Sequence, residues 1–201
     1  MRRLLVAGVV AASVLLTACS GDGPLPSPDL RSRIDVANPA LRHAKARIGV
    51  HPCPALTEKK SDLPDLQLPC LGGGRSVTLS HVAGPAVVSL WASWCTSCPH
   101  ELPLYQRLSE QAGHRLNVLG VDWQDTQPGA AMTLLGQTHA SFWQLADPGG
   151  DLADHYRLTA LPGILLVDGN GHVTFLLRRI DNYADLTSLV RQHTGVDVSA
   201  G

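Results

Sequence analysis

Residues 86–99 read Ala86-Val87-Val88-Ser89-Leu90-Trp91-Ala92-Ser93-Trp94-Cys95-Thr96-Ser97-Cys98-Pro99, and this stretch decides the fold class of the chain. Its first seven residues form an almost uninterrupted apolar run, which is typical of a strand buried on both faces. The two cysteines open an amphipathic stretch that ends near Gly113. We therefore predict a strand, a CxxC dithiol and a helix in direct succession. Backbone N–H groups at a helix N-terminus favour a thiolate, so the first sulfur is placed where it can ionise.

A CxxC pair is also half of many zinc sites. The sequence has no second CxxC and no histidine pair at zinc-finger spacing. Its nine histidines are scattered along the chain, which favours surface or packing roles over metal ligation. The context of Cys95 and Cys98 therefore favours redox chemistry, and we expect no metal in this site.

Three stretches of the chain together resemble one protein family. They are Val87 to Pro103 around the dithiol, Tyr156-Arg157-Leu158-Thr159-Ala160-Leu161-Pro162, and the turn Asp168-Gly169-Asn170-Gly171. In these residues the chain is similar to the thioredoxin superfamily, and within it to the TlpA/ResA-like thiol-disulfide oxidoreductases, which are membrane-tethered. The resemblance covers roughly residues 61–194.

The resemblance implies an α/β thioredoxin-like fold, in which helices flank a central mixed β-sheet. It also implies an extra strand-helix insert around residues 131–145, and the chain adds an N-terminal extension. Alternating apolar runs agree with this architecture. They predict strands over 77–79, 86–91, 116–121, 142–145, 164–167 and 173–177, and helices over 39–48, 98–111, 129–138, 152–156 and 183–193. Pro103 lies inside the second helix, where a proline bends the axis.

The N-terminus has the layout of a signal peptide. Arg2 and Arg3 precede an apolar run from Leu4 to Leu16, which is short for a membrane-spanning helix. Leu16-Thr17-Ala18-Cys19 resembles a bacterial lipobox, so we expect Cys19 to carry lipid and to anchor the protein outside the cytoplasm. Ordinary cleavage nearby, or an uncleaved anchor, is the alternative. We predict a signal peptide over 1–18, a tether and N-terminal extension over 19–60, and a thioredoxin-like domain over 61–201.

The resemblance also implies roles around the dithiol. Cys95, expected to be exposed, would form a mixed disulfide with a client, and the more buried Cys98 would resolve it. Trp94 would shield the pair and shape the contact face, although simple packing is an alternative role. The Leu161–Pro162 bond is expected to be cis, with Leu161 and Pro162 forming the substrate-binding loop opposite the dithiol.

Proton transfer to Cys98 needs a separate acid or base. Thioredoxin carries a buried Asp six residues before its first cysteine, but this chain has Ser89 there. The ResA-like pattern carries a Glu three residues after the second cysteine, which corresponds to Glu101. A partly buried carboxylate has a raised pKa and can exchange a proton near neutrality. Glu101 is thus the third candidate catalytic residue; a surface Glu on the first helical turn is the alternative.

Cys53 and Cys70 lie beside prolines in His51-Pro52-Cys53-Pro54 and Leu68-Pro69-Cys70. Four of the five cysteines remain once Cys19 is set aside, which is an even number in a chain expected outside the cytoplasm. A structural disulfide between Cys53 and Cys70 is the favoured interpretation. A second redox pair, and a copper or zinc site with His51, are the alternatives.

These observations favour an extracytoplasmic protein-disulfide oxidoreductase whose redox group is the Cys95–Cys98 disulfide, with no other cofactor. The resemblance implies a reductant supplied by a membrane electron donor of CcdA or DsbD type, with protein thiols or disulfides, including apocytochrome c, as substrates. An oxidase or exchange factor for secreted proteins is the alternative, and a copper-binding module fits less well because such proteins usually space their cysteines further apart. The net formal charge of −1 predicts no nucleic-acid partner.

Overall fold

The computed structural model describes residues 33–198. The predicted signal peptide, the predicted lipidation site Cys19 and most of the predicted tether therefore lie outside the described residues. The helices are α1 (Pro39–Ile48), α2 (Cys98–Ala112), α3 (Pro128–Gln137), α4 (Ala153–Tyr156) and α5 (Tyr183–Thr194). The strands are β1 (Gln67–Leu68), β2 (Val77–Thr78), β3 (Ala86–Trp91), β4 (Asn117–Trp123), β5 (Trp143–Asp147), β6 (Gly163–Val167) and β7 (Val173–Leu176).

A five-stranded mixed sheet forms the centre of the fold, in the order β5-β4-β3-β6-β7. Strands β3, β4 and β5 run parallel, whereas β6 is antiparallel to β3 and to β7. Strands β1 and β2 form a separate antiparallel pair. This is the thioredoxin-like α/β architecture that the sequence predicts.

Strand β3 is buried along its whole length because both faces of the sheet are covered. Val87 and Trp91 face a core cluster that includes side chains of α1, α2, α3 and α5. Val88 and Leu90 face a second cluster, built with Leu79 and residues of the β1–β2 side. A strand between two apolar layers needs apolar side chains on both faces, which explains why nearly all of residues 86–92 are apolar.

The N-terminal extension is part of the core. Helix α1 is capped by the Asn38 side chain, which accepts a hydrogen bond from the backbone N–H of Leu41, and it ends at Gly49 with φ of 82°. Leu41, together with Val36 and Val50, joins the same core cluster as α2 and α5. The part of the extension from Val36 to Val50 therefore packs against the domain.

The element predictions are largely confirmed, with local differences. Leu79 was expected to end a strand, but it begins a 3₁₀ turn over Leu79–His81, and the short strand β1 was not predicted. The insert forms α3 and the edge strand β5. Pro103 lies inside α2, so the helix continues past it. Across residues 33–198, no helix has both the length and the apolar character needed to cross a bilayer.

Gly120 of β4 lies where the core has no room for a larger side chain. A Cβ built there would lie 2.1 Å from Gln144 Oε1 and 2.8 Å from Trp91 Nε1, two atoms joined by a hydrogen bond of 2.9 Å. Gly120→Ala should lower the free energy of unfolding by about 1–3 kcal/mol, the usual cost of overpacking a core. Denaturant unfolding of the oxidised protein measures this loss. Gly129→Ala in α3, where a Cβ meets nothing within 4 Å, is the matched control, and an equal effect of both changes would contradict the packing argument.

Candidate redox site

The dithiol lies where β3 ends and α2 begins. Cys95 and Cys98 form a disulfide with an S–S distance of 2.01 Å and a Cα–Cα distance of 5.5 Å. Cys98 is the first residue of α2, and the backbone N–H of Cys95 donates to the carbonyl of Ala92. The expectation of an exposed Cys95 is wrong for this oxidised state, because only 4% of Cys95 is exposed, against 1% of Cys98. Cys95 retains the larger exposure of the two.

The start of α2 supplies an electropositive surrounding for the sulfurs. Ser97 is the N-cap residue, but its side chain makes no capping hydrogen bond. Its hydroxyl lies 3.8 Å from Cys95 Sγ and donates to it, because a disulfide sulfur carries no hydrogen. The helix dipole and this hydroxyl both favour negative charge on Cys95 after reduction.

An exposed indole stands beside the dithiol. Trp94 is 49% exposed, although its Nε1 donates to the backbone carbonyl of Gln124 at 3.2 Å. Its ring contacts that of Trp123 with 6.3 Å between centroids. The contacts hold Trp94 in place while leaving much of its surface available to a partner, as its predicted role requires.

The loop before β6 lies at the same end of the sheet. The Leu161–Pro162 peptide is cis, and Gly163, the next residue, pairs with Leu90 near the end of β3. Leu161 is partly buried and packs against both core clusters. Pairing between β3 and β6 therefore brings Leu161 and Pro162 to the edge from which Cys95 emerges.

Glu101 is a buried carboxyl on the first turn of α2. It is 2% exposed, and its Oε1 accepts a hydrogen bond of 2.9 Å from the backbone N–H of Ile180. Burial raises the pKa of Glu101 to about 7, although the Ile180 N–H and the charges of His100 and Arg179 oppose the rise. Residues three apart lie on one face of a helix, so Glu101 shares the face of Cys98. The alternative of a surface Glu does not hold.

Ser89 lies on the side of the sheet that faces α2. It is buried in the middle of β3, on the same face as Val87 and Trp91. Tyr105, one turn after Glu101, is fully buried, and burial followed by the Glu101 charge raises the pKa of Tyr105 well above its usual range. Neither a serine nor such a phenol releases a proton near neutrality, so of Ser89, Glu101 and Tyr105 only Glu101 can exchange a proton there.

Sequence reasoning missed a pair of carboxyls, Asp122 and Asp125, at the end of β4. Asp125 Oδ2 accepts from the backbone N–H of Ser93 at 2.7 Å, so it holds the loop that precedes Cys95. Burial, followed by the Asp125 charge and a hydrogen bond with Asp125, raises the pKa of Asp122 well above its usual range. The signal that could have found them is two acids at the carboxyl end of a buried strand adjacent to β3.

Cys53 and Cys70 are joined by a disulfide, with a Cα–Cα distance of 6.0 Å. The bond links the N-terminal extension to the residue that bridges to Leu145 of β5. The Lys45 side chain lies against Cys70, a contact that sequence reasoning did not anticipate. Within residues 33–198, no three His, Cys, Asp or Glu side chains are grouped in a way that could hold a metal ion.

Comparison with known proteins places this site in a family. The model of the AhpC/TSA family matches residues 60–176. The chain belongs to this family. Its fold resembles that of MTB dsbF, with a TM-score of 0.58, 26% identity and coverage of 65% of this chain and 96% of that one. A Chlorobium tepidum protein assigned as the thiol:disulfide interchange protein DsbE gives a TM-score of 0.57 at 30% identity, covering 69% of this chain and 96% of that one.

Two sequence relatives of this AhpC/TSA chain carry related names. The thiol:disulfide interchange protein DsbE homolog of Paracoccus denitrificans is 40% identical over 91 residues, which are 45% of this chain and 48% of the relative. DsbE of Xylella fastidiosa is 31% identical over 114 residues, which are 55% of this chain and 56% of the relative. The chain thus spans about half the length of these relatives.

The raised pKa of Glu101 makes the stability of the oxidised protein depend on pH. An acid whose pKa is higher in the folded state than its unfolded value of about 4.3 stabilises the fold at low pH, and this contribution is lost as the pH rises through about 7. Between about pH 4.3 and pH 7, the wild type should lose up to about 3 kcal/mol of its free energy of unfolding compared with Glu101→Gln, which has no group to titrate there. Denaturant titrations at several pH values measure the difference.

Glu110→Gln is the matched control because Glu110 is exposed on the same helix. It should leave the pH profile of the wild type unchanged. A difference between wild type and Glu101→Gln that stays constant with pH would contradict the shifted pKa.

Proposed function

We propose that the protein is an extracytoplasmic thiol-disulfide oxidoreductase that acts as a reductant through Cys95 and Cys98. The observation that carries the proposal is the dithiol at the junction of β3 and α2, at the same end of the sheet as cis Pro162. The names of the DsbE relatives, which are thiol:disulfide interchange proteins, support it. Protein thiols or disulfides are the substrates, and an apocytochrome c with a CxxCH motif is the proposed client by family resemblance.

The exchange proceeds in two steps. The Cys95 thiolate attacks a client sulfur, which breaks the client disulfide and forms a mixed disulfide. Cys98 then attacks Cys95 Sγ, and the client leaves as a dithiol while Cys95 and Cys98 become the disulfide seen in the structure. Trp94 and the backbone around Leu161 would contact the extended client.

Glu101 is proposed to take up the proton of Cys98 as that thiol becomes the attacking thiolate. Its buried position on the face of α2 that carries Cys98, and its pKa of about 7, support this role. A carboxyl with such a pKa can both accept and return a proton at neutral pH. The buried Ser89 cannot replace it, because a serine hydroxyl does not titrate in this range.

A membrane electron donor of CcdA or DsbD type would return Cys95–Cys98 to the dithiol after each cycle. Lipid on Cys19 would hold the domain near that donor, with the tether before α1 as spacer. The resemblance to the TlpA/ResA-like proteins supports the donor, and the signal-peptide and lipobox pattern of residues 1–19 supports the anchor. Cys53–Cys70 is proposed to link the extension to the domain in the resting protein.

Reduction of a disulfide-bonded CxxCH peptide tests the activity. The reduced wild type should convert the peptide to its dithiol, Cys98→Ser should accumulate a mixed disulfide through Cys95, and Cys95→Ser should do neither. Mass spectrometry after acid quenching counts each species. All of these proteins carry Cys53→Ser/Cys70→Ser, so that within residues 33–198 only Cys95 and Cys98 can react, and Glu110→Gln in the same background is the control that should react like the unchanged dithiol.

The reduction potential of Cys95–Cys98 decides the direction. A value near that of thioredoxin, about −270 mV, supports the reductant, whereas a value near DsbA, about −120 mV, would replace it with the alternative of an oxidase for secreted proteins. Equilibration of the dithiol with dithiothreitol or glutathione measures it. An oxidase would use the same two cysteines. Trapping of a mixed disulfide by Cys98→Ser therefore tests for thiol exchange in either direction, whereas the reduction potential tests the direction.

The role of Glu101 is tested by kinetics. Glu101→Gln should slow resolution of the mixed disulfide by about 10²–10⁴-fold, the usual contribution of a general acid or base, and should remove the inflection near pH 7 from the rate profile. Glu110→Gln is the control. Unchanged exchange rates and an unchanged titration of the dithiol in Glu101→Gln would exclude the relay.

A further inference from the structure

A buried lysine lies against the second disulfide. Lys45 is on α1, only 7% of it is exposed, and its Nζ lies 2.9 Å from Cys70 Sγ. The same Nζ donates to the backbone carbonyl of Gly73 at 2.9 Å. Gly72 also packs closely against Lys45, since a Cβ built at Gly72 would lie only 2.9 Å from Lys45 Cβ. The ammonium is thus held between a disulfide sulfur and a carbonyl oxygen.

Neither of these partners neutralises the charge. No carboxylate in the described part of the chain forms an ion pair with Lys45. Arg42 of α1 also lies against this loop, since a Cβ at Gly73 would fall 3.0 Å from Arg42 Cγ, and its charge is positive too. Buried ammonium groups are costly unless paired with an anion, and burial lowers the pKa of Lys45 accordingly. The surroundings of Cys70 therefore favour a negative charge that the disulfide does not provide.

We propose that Cys53–Cys70 is a second redox-active site, in which the Lys45 ammonium stabilises a Cys70 thiolate once the bond is reduced. The reductant is a dithiol. The site is separate from Cys95–Cys98, so it stands whether or not that pair acts as proposed above.

The reaction balances as a two-electron exchange. A thiolate of the incoming dithiol attacks Cys53 Sγ, the S–S bond breaks, and its electron pair leaves on Cys70 Sγ as a thiolate beside Lys45. The second thiol of the dithiol then attacks the mixed disulfide and becomes oxidised. Cys53 takes up one of the two dithiol protons and the other passes to solvent.

The structure also selects which sulfur is attacked. Cys53 is 6% exposed against 1% for Cys70, and it lies in a stretch without helix or strand whose neighbours His51 and Pro52 are exposed. Cys70 is held by the β5 bridge and by Lys45. An incoming thiolate thus reaches Cys53 more easily, and Cys70 becomes the leaving group. A stabilised thiolate leaves faster than an ordinary one.

The experiment isolates the second pair in Cys95→Ser/Cys98→Ser protein. This protein is equilibrated with mixtures of reduced and oxidised dithiothreitol, and alkylation followed by mass spectrometry gives the reduced fraction of Cys53–Cys70. At pH 8, adding Lys45→Met should lower the equilibrium constant for reduction by about threefold or more, since a neighbouring opposite charge shifts a pKa by about 1–3 units and an ordinary Cys has a pKa of about 8.5. Lys59→Met, at an exposed lysine, is the control and should have no effect.

A second measurement needs no lysine variant and covers the case in which Lys45→Met fails to fold. The reduced Cys95→Ser/Cys98→Ser protein should show the ultraviolet absorbance of a thiolate at neutral pH. Adding Cys70→Ser should abolish it, whereas adding Cys53→Ser should retain it. Equal equilibrium constants for wild-type Lys45 and Lys45→Met, or an absorbance that is missing or follows Cys53, would overturn the proposal.

Discussion

Strand β3 is covered on both faces, pairs with β4 on one side and with β6 on the other, and ends just before the loop that carries Cys95. This two-sided burial fixes the position of the end of the strand, since sliding β3 by one residue would exchange the side chains facing the two core layers. The start of α2, the cis peptide before β6 and the acids Asp122 and Asp125 at the end of β4 are arranged around that end. The chemistry of the dithiol thus depends on the packing of a strand that takes no part in it.

Burial is the main cause of the shifted pKa values of several ionisable side chains. Glu101 and Asp122 are buried carboxyls whose pKa values are raised by burial, and Lys45 is a buried amine whose pKa is lowered by it. Each group is held by specific contacts: the Ile180 N–H for Glu101, Asp125 for Asp122, and Cys70 with Gly73 for Lys45. A protein that moves electrons between sulfurs must also move protons, and groups with pKa values shifted toward neutrality can do so.

The two disulfides occupy contrasting surroundings. Cys95–Cys98 closes a short ring at a helix start beside an exposed indole, where backbone dipoles favour a thiolate. Cys53–Cys70 spans 17 residues and ties the extension to the edge of the sheet, with a side-chain ammonium in place of the helix dipole. Both environments are electropositive, one through aligned peptides and the other through Lys45. Both environments can stabilise a thiolate, although they are built from unrelated parts of the chain.

The strand-dithiol-helix succession, the order of α and β elements and the hairpin at Asp168 follow from local patterns, because apolar periodicity, helix caps and turn residues act over a few neighbours. These local patterns predicted the order of the elements and the dithiol, whereas the thioredoxin-like fold and the role of Glu101 were expected from the resemblance to the TlpA/ResA-like proteins. The sequence could not predict β1, whose two residues depend on pairing with β2, or the near burial of Cys95. The Asp122–Asp125 pair and the contact of Lys45 with Cys70 also escaped it, since the latter joins residues 25 positions apart. Only tertiary structure decides such contacts, because burial and charge proximity depend on which distant segments fold together.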